Sequence, residues 1–408
     1  MSPRRQRLLA ATLSTLFSVV LLDVVLRLFP ELPGQRLANI VWSRYGGFSG
    51  GIYAVEPQSH IEFMRPGFRT VNYWNGYHWH HATDGLGFRN PEGTPHGVLL
   101  LGDSLIYGHG VEEEETVAHF LRSEYGIPAY NMGRQGACLL DEYVFLRTYL
   151  DELQPSDVVL FVFLNDFHDL EVYRTTDQIE RIPELDYDYR AVREWARRLG
   201  ERPKRRLKRW FSTLPSIRLL RALGRDALSN LSFVSPAWAE ESEPLPEFLE
   251  IFANEEELAK VARYYEHIFA DLIPRLTARG IRTHVVYLSA GAGRRRWAAV
   301  QRQAIALVER AASPFGLEMA DTRSLFAECS DCFLPDDGHY TRTGHQLLAE
   351  FLATRVLRGE GSDDPAIEAR APSAAKNDGA APPDSGERRA ARKHRPRKHR
   401  PPESSGTG

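Results

Sequence analysis

Val98-Leu-Leu-Leu101 lies between Gly97 and Gly102 and is apolar at every position, too short for a helix and with no polar face to give to water. Such a run is satisfied as a parallel strand covered on both faces. Asp157-Val-Val-Leu-Phe-Val-Phe-Leu164 and Arg282-Thr-His-Val-Val-Tyr-Leu288 repeat the signal, and Leu317-Glu-Met-Ala-Asp321 gives a fourth strand. Helical spacing fills the intervals: Thr116–Tyr125 before a short strand near Pro128–Asn131, then Leu139–Leu153 and Glu255–Arg279. Strands alternating with helices predict an α/β fold, a parallel sheet with helices on both sides.

The chain has 408 residues, of which 43% are hydrophobic, enough for a sizeable core, but both ends read as something other than globular fold. Leu8–Phe29 is 22 residues long and mostly apolar, follows Arg4, Arg5 and Arg7, and is broken only by Asp23 and Arg27. At 1.5 Å per residue it spans a hydrocarbon core of about 30 Å. Asp23 and Arg27 are four apart and can neutralise each other on one helix face. The preceding arginines predict a cytoplasmic N-terminus, with the body exported and held by a single-pass anchor. A cleaved signal peptide is the rival; no small-residue cleavage pattern follows closely.

Residues 30–83 read as a linker and a β-hairpin extension, the hairpin marked by Asn75-Gly76 between Thr70–Trp74 and Tyr77–His81. His78, His80 and His81 are structural in this reading, because neighbours on a strand face opposite ways. The α/β domain covers 84–358 and is interrupted by an insertion at about 170–250. That insertion contains the basic amphipathic stretches Arg202–Phe211 and Leu219–Leu223, a lid or lipid-surface helix against the alternative of a solvated one. Residues 359–408 are rich in Pro, Ala, Ser and charge and are expected to be disordered. Cys329-x-x-Cys332 suits a local disulfide better than zinc, since three cysteines cannot supply a four-ligand site. Net charge is -3, and nothing predicts a nucleic-acid partner.

The chemistry concentrates at strand ends. Val98–Leu101 runs straight into Gly102-Asp103-Ser104, with helical pattern expected to resume after Gly110. The carboxyl ends of parallel strands are where α/β sheets bind ligands, so Ser104 is presented there as a nucleophile. Asn131-Met-Gly-Arg-Gln-Gly136 follows a short strand and offers a backbone N–H from Gly133 or Gly136, while Asn165 follows the strand ending at Leu164 and offers an amide. With the Ser104 N–H, such donors make an oxyanion hole. A serine hydroxyl needs a base held by a carboxylate. His339 supplies the base, and Asp336 lies three residues before it, with Asp337 the competing choice. Cys138 reads as a packed small hydrophobe and His345 as structural, at the start of a last helix over Gln346–Leu357.

In this order, Gly-Asp-Ser-Leu, Gly136, Asn165-Asp166 and Asp336-x-x-His339 resemble the SGNH (GDSL) hydrolase family, and Asp84-Gly-Leu-Gly-Phe-Arg-Asn90 resembles a stretch of its membrane-anchored bacterial members. The resemblance spans roughly 84–170 and 255–357 and implies a flavodoxin-like three-layer α/β/α domain. It implies Ser104 as nucleophile, His339 as base and Asp336 as its orienting partner. Ser104, Gly136 and Asn165 would form the oxyanion hole; Gly136 is preferred because that family's glycine closes its block. The expected function is hydrolysis of acyl or acetyl esters, whether of a small molecule, a lipid or an acylated glycan, with no metal or cofactor. Acyl transfer to, or deacetylation of, an envelope polysaccharide is the alternative within enzymes, and an inert anchored glycan-binding scaffold the alternative outside them.

Overall fold

A computed structural model describes residues 2–30, 32–43, 51–174, 187–200, 214–226, 247–289, 297–335 and 337–357. All of these belong to one compact unit within residues 1–370. The stretch Arg202–Phe211, the tail 359–408 and Asp336 lie outside the described residues.

The core is one five-stranded parallel sheet. Its strands are β5 (Val98–Leu101), β6 (Ala129–Asn131), β7 (Asp157–Val162), β8 (Arg282–Tyr287) and β9 (Met319–Asp321), in the order β6-β5-β7-β8-β9. That order is the flavodoxin-like one, in which the chain reverses direction across the sheet between β5's two neighbours. Every residue of β5 and β7 is buried, as their unbroken apolar runs require. At about 1.5–3 kcal/mol per buried large apolar side chain, these two strands alone bind the sheet firmly to its covering helices. The helices include α4 (Val117–Tyr125), α5 (Leu139–Leu153), α9 (Glu255–Thr277), α10 (Ala298–Ala312) and α11 (Arg342–Phe351). Thr116, Asn254 and Thr341 cap α4, α9 and α11 by accepting backbone N–H groups in the first turn.

Three expectations change. Residues 30–83 are more than a linker with one hairpin. They form helix α2 (Gln35–Trp42), an antiparallel pair β1 (Tyr53–Val55) and β2 (Glu62–Met64), and the hairpin β3 (Arg69–Trp74) with β4 (Tyr77–Ala82). Ala38 and Val41 of α2 are fully buried, so an apolar stripe hidden among the Gly and Pro of this stretch has a surface to pack on. Helical structure also resumes earlier than Gly110: α3 (Ser104–Tyr107) starts at the serine itself, capped by the Asp103 carboxylate on the Leu105 N–H. The last helix begins at Arg342 because Thr341 caps it, and a π-type turn over Leu352–Val356 ends it.

Helix α1 (Pro3–Leu28) is long and apolar enough to cross a membrane. Asp23 and Arg27 form their i,i+4 ion pair at 2.9 Å. Asp23 also accepts from the N–H and hydroxyl of Ser216, which places α8 (Pro215–Asp226) against the C-terminal end of α1. Between α6 (Asn165–Arg174) and α8 lies α7 (Tyr189–Arg198), packed on α5. Cys329 and Cys332 are joined as a disulfide, and Cys138 is a buried free thiol.

Candidate active site

Gly102 and Asp103 turn the chain sharply off the end of β5, so Ser104 stands half-buried at the carboxyl edge of the sheet. Arg89, fully buried, donates to the carbonyls of Tyr107, Gly108, His80 and Val111 and so pins the segment that follows the serine. Asn90 exchanges two bonds with the backbone of Asn131, and Asp84 accepts from the N–H groups of Leu86, Gly87 and Phe88 and from the Tyr130 hydroxyl. The Asp84–Asn90 stretch therefore ties the ends of β5 and β6 together.

Ser104 and His339, 235 residues apart in sequence, meet here: Ser104 Oγ lies 2.7 Å from His339 Nε2. Behind the imidazole, Nδ1 bonds to Oδ1 of Asp337. A carboxylate can only accept, so it holds the proton on Nδ1 and leaves Nε2 to accept from the serine hydroxyl. Among the described residues the carboxylate on His339 is thus Asp337; Asp336, the one expected from the sequence, lies outside them. Three residues would bring 336 onto 339 in a helical turn, but this segment is a tight reversal instead. Leu334 N–H donates to the His339 carbonyl at 2.7 Å, and Gly338 takes φ +86°. That reversal directs the side chains two apart, 337 and 339, toward each other.

Asp337 is 2% exposed. Burial works to raise its pKa, but the charge and hydrogen bond of His339, with His109 and the Asn75 amide adding, hold it well below the usual carboxylate range. On the other face of His339 lies the ring of His109, centroids 3.9 Å apart and nearly parallel. Burial, with His339 next in weight, pushes the His109 pKa well below its ordinary value, so this neighbour is neutral. Gln135 lies 2.8 Å from His109 Nδ1 and accepts from the Tyr53 hydroxyl at 2.7 Å, which fixes the tautomer of His109 with its proton on Nε2.

Block 131–136 runs beside the serine: Met132 N–H donates to Leu100 O and Arg134 N–H to Gly102 O. A Cβ on Gly133 would fall 2.4 Å from the Tyr107 nitrogen, so that glycine is needed for close approach. Its N–H is already given to Asn131 Oδ1. Gly136 is exposed, at φ +65°, with open space beside its Cα. The loop around it is held by buried Arg134, which donates to the Gln135 and Gly136 carbonyls and pairs with Asp141 at 2.6 Å. On β5's other side, Asn165 opens α6 just beyond β7; its Nδ2 donates to Asp169 at 3.0 Å, and its Oδ1 is buried without a hydrogen-bond partner among the described residues. Asp103 is raised to about 6 by burial, against the opposing pull of the Leu105 N–H and His339.

Sequence reasoning missed Asn75, His109, Arg134 and Gln135 as parts of this region. Asn75 was legible only as half of the Asn-Gly turn, and Arg134 and Gln135 only as fillers between two glycines; none of the four carries a local sign of its partner. Of the remaining histidines, His81 bonds to the Tyr107 hydroxyl and is lowered to about 3 by burial, while exposed His80 meets Glu112. His345 is buried edge-on to the Tyr340 ring, neither of its nitrogens meets a hydrogen-bond partner among the described residues, and it too is lowered to about 3 by burial. His109, Asp337 and His339 lie close enough together to hold an ion. Three of the atoms that would ligate it are committed: Asp337 Oδ1 and His339 Nδ1 to each other, and His339 Nε2 to Ser104.

A neutral acid lies under this edge. Glu142 is 2% exposed and neither carboxyl oxygen meets a partner among the described residues. Burial, with Asp103 and Asp141 nearby, pushes its pKa well above the ordinary carboxyl value. The folded chain keeps a proton that the unfolded chain releases above about pH 4.3, so the cost is absent in acid and grows as pH rises. Glu142→Gln is expected to leave the melting temperature unchanged at pH 4 and raise it at pH 7. Equal shifts at both pH values in differential scanning calorimetry would refute a protonated Glu142.

No protein-family model matches the chain, and no curated protein matches it in sequence. Solved structures with a related arrangement include a protein described as lipolytic and of the G-D-S-L family from Desulfitobacterium hafniense DCB-2, at 12% identity and TM-score 0.31, covering 63% of this chain and 97% of that one. An alpha/beta hydrolase from the metagenome of Lake Arreo, Spain, aligns at 15% identity and TM-score 0.34, over 65% and 97%. A catalytic mutant of an acetylxylan esterase from Geobacillus stearothermophilus aligns at 13% and 0.30, over 62% and 91%. Overlaps this loose bear no weight; the fold class follows from the strand order and the site from its own distances.

Proposed function

We propose that this chain is a serine ester hydrolase that cleaves acyl or acetyl esters through an acyl-enzyme on Ser104. The observation that supports it above all is the array Ser104 Oγ to His339 Nε2 at 2.7 Å with Asp337 on Nδ1. In the first step Ser104 Oγ attacks the ester carbonyl carbon while His339 Nε2 takes the hydroxyl proton, and Asp337 stabilises the resulting imidazolium. The tetrahedral oxyanion is held by the Ser104 and Gly136 N–H groups and by the second hydrogen of the Asn165 amide, the first being given to Asp169. Collapse breaks the bond to the alcohol, which leaves with the proton from His339. Water, deprotonated by His339, then attacks the acyl carbon and frees the acid and Ser104. No metal or redox group enters these steps.

The body works outside the cytoplasm in this reading, tethered by α1 in a bacterial inner membrane. The arginines before α1 favour a cytoplasmic N-terminus. The Cys329–Cys332 disulfide fits an oxidising compartment. A membrane-impermeant fluorophosphonate applied to spheroplasts is expected to label the full chain at Ser104. Labelling only after lysis would overturn the location, and no labelling of folded protein would overturn the nucleophile and favour an inert scaffold.

A further inference from the structure

We infer that Asn75, locked by Asn39, is the positioning residue for Asp337, so that the membrane-proximal segment and not the sheet domain alone completes the array; this rests on the esterase reading above. Asp337 has two carboxylate oxygens to satisfy in a buried place. His339 takes Oδ1, and the Asn75 side chain donates Nδ2 to Oδ2 at 3.0 Å. Asn75 sits at the tip of the β3–β4 hairpin at φ +47°, with Gly76 beside it at φ +89°.

An amide is nearly symmetric in shape, and turned over it would set its oxygen against the Asp337 oxygen. Asn39 of α2 prevents this. Its Nδ2 donates to Asn75 Oδ1 at 2.7 Å, and its Oδ1 accepts the Asn75 backbone N–H at 2.8 Å. Only one orientation of Asn75 satisfies both bonds, and that orientation aims its N–H at Asp337. The same hairpin grips the loop a second time: the Tyr77 hydroxyl donates to the Pro335 carbonyl at 2.8 Å. The turn alone does not need asparagine, since Asp-Gly or Gly-Gly also accept these backbone angles. Asparagine is the choice that takes φ above zero and donates to a carboxylate.

The contact continues toward the anchor. Helix α2 packs on β3 and on α8, α8 packs on α1, and Trp42 Nε1 donates to the Pro30 carbonyl at 3.2 Å. A shift of α2 relative to the sheet would therefore turn the Asp337 carboxylate, and through it the imidazole, while leaving the oxyanion donors where they are.

Three variants of the full chain, assayed on a short acyl ester, test this. Asn75→Gly keeps the turn and deletes the amide; its kcat is expected to fall about 10- to 100-fold, the usual loss for a group that orients a functional ligand, with KM within about twofold and melting temperature unchanged. Asn75→Asp keeps shape and turn but faces Asp337 with a second carboxylate, so its kcat falls further. Asn39→Ala frees the amide and gives a partial loss of kcat, again at unchanged KM. Wild-type kcat in Asn75→Gly overturns the inference and leaves the esterase intact. A loss that tracks folded protein and is equal in the Gly and Asp variants also overturns it, because a merely structural turn predicts that. Absence of turnover and of Ser104 labelling in the wild type overturns the esterase reading, and the inference with it.

Discussion

Ser104→Ala is expected to lower kcat for a short acyl ester by on the order of 10⁶, the scale on which losing a serine nucleophile removes the covalent route. The substitution deletes one oxygen whose hydrogen bond is to His339 and leaves the backbone N–H groups in place. Substrate binding should persist, so KM changes little while kcat collapses to what bound water achieves beside intact oxyanion donors. Alanine is also the best helix former, so the short α3 keeps its geometry and thermal unfolding stays close to wild type. Activity within tenfold of wild type would mean that some other group attacks the ester, and the acyl-enzyme on Ser104 would be excluded.

Asp337→Asn is the second large effect, a loss of about 10⁴ in kcat. The asparagine is isosteric, but its amide can donate to Nδ1 and so move the imidazole proton to Nε2, where it blocks acceptance from Ser104. Its Oδ2 counterpart would also face the Asn75 amide with a nitrogen in one of its two orientations. Because His339 and its neighbours hold Asp337 well below the ordinary carboxylate pKa, the wild-type carboxylate stays ionised through neutral and mildly acidic pH. Its stabilising contribution is present above the unfolded value of about 3.9 and is lost only as pH falls toward the depressed folded value. Asp336→Asn, by contrast, should leave kcat within about twofold. The reverse outcome, a large loss at 336 and little at 337, would return the orienting role to Asp336.

Much of the fold was legible because its signals are local. Val98–Leu101 and Asp157–Leu164 have no polar side to expose, so burial on both faces was forced by composition alone, and the helices between them followed from spacing. The meeting of the serine and the histidine was legible for a related reason: one directly follows a strand and the other precedes the last helix, where sheet geometry brings distant segments to one edge. What escaped was set by turns and by surfaces. The Asp-Asp pair before Gly338 leaves two carboxylates one residue apart, and only the reversal of the loop, with its glycine at φ +86°, selects 337. The segment before the hairpin looked like a linker because Gly and Pro flank a helix of eight residues, too short to announce itself by periodicity.

By itself the sequence determined the sheet, the apolar N-terminal helix, the Asp23–Arg27 pair and the residue types gathered at the strand ends, since these depend on side-chain polarity read along a few turns. The tertiary structure alone decided which aspartate faces His339, that Asn75 and Asn39 hold it, that His109 stacks on the imidazole, and that the Gly133 N–H is spent on Asn131 while Gly136 stays open. The local ones depend on how a turn is bent, and the farthest, Asn75 to Asp337, joins segments 262 residues apart. No pattern within either segment encodes a partner's position, which is fixed only when the packed core sets the distance between them.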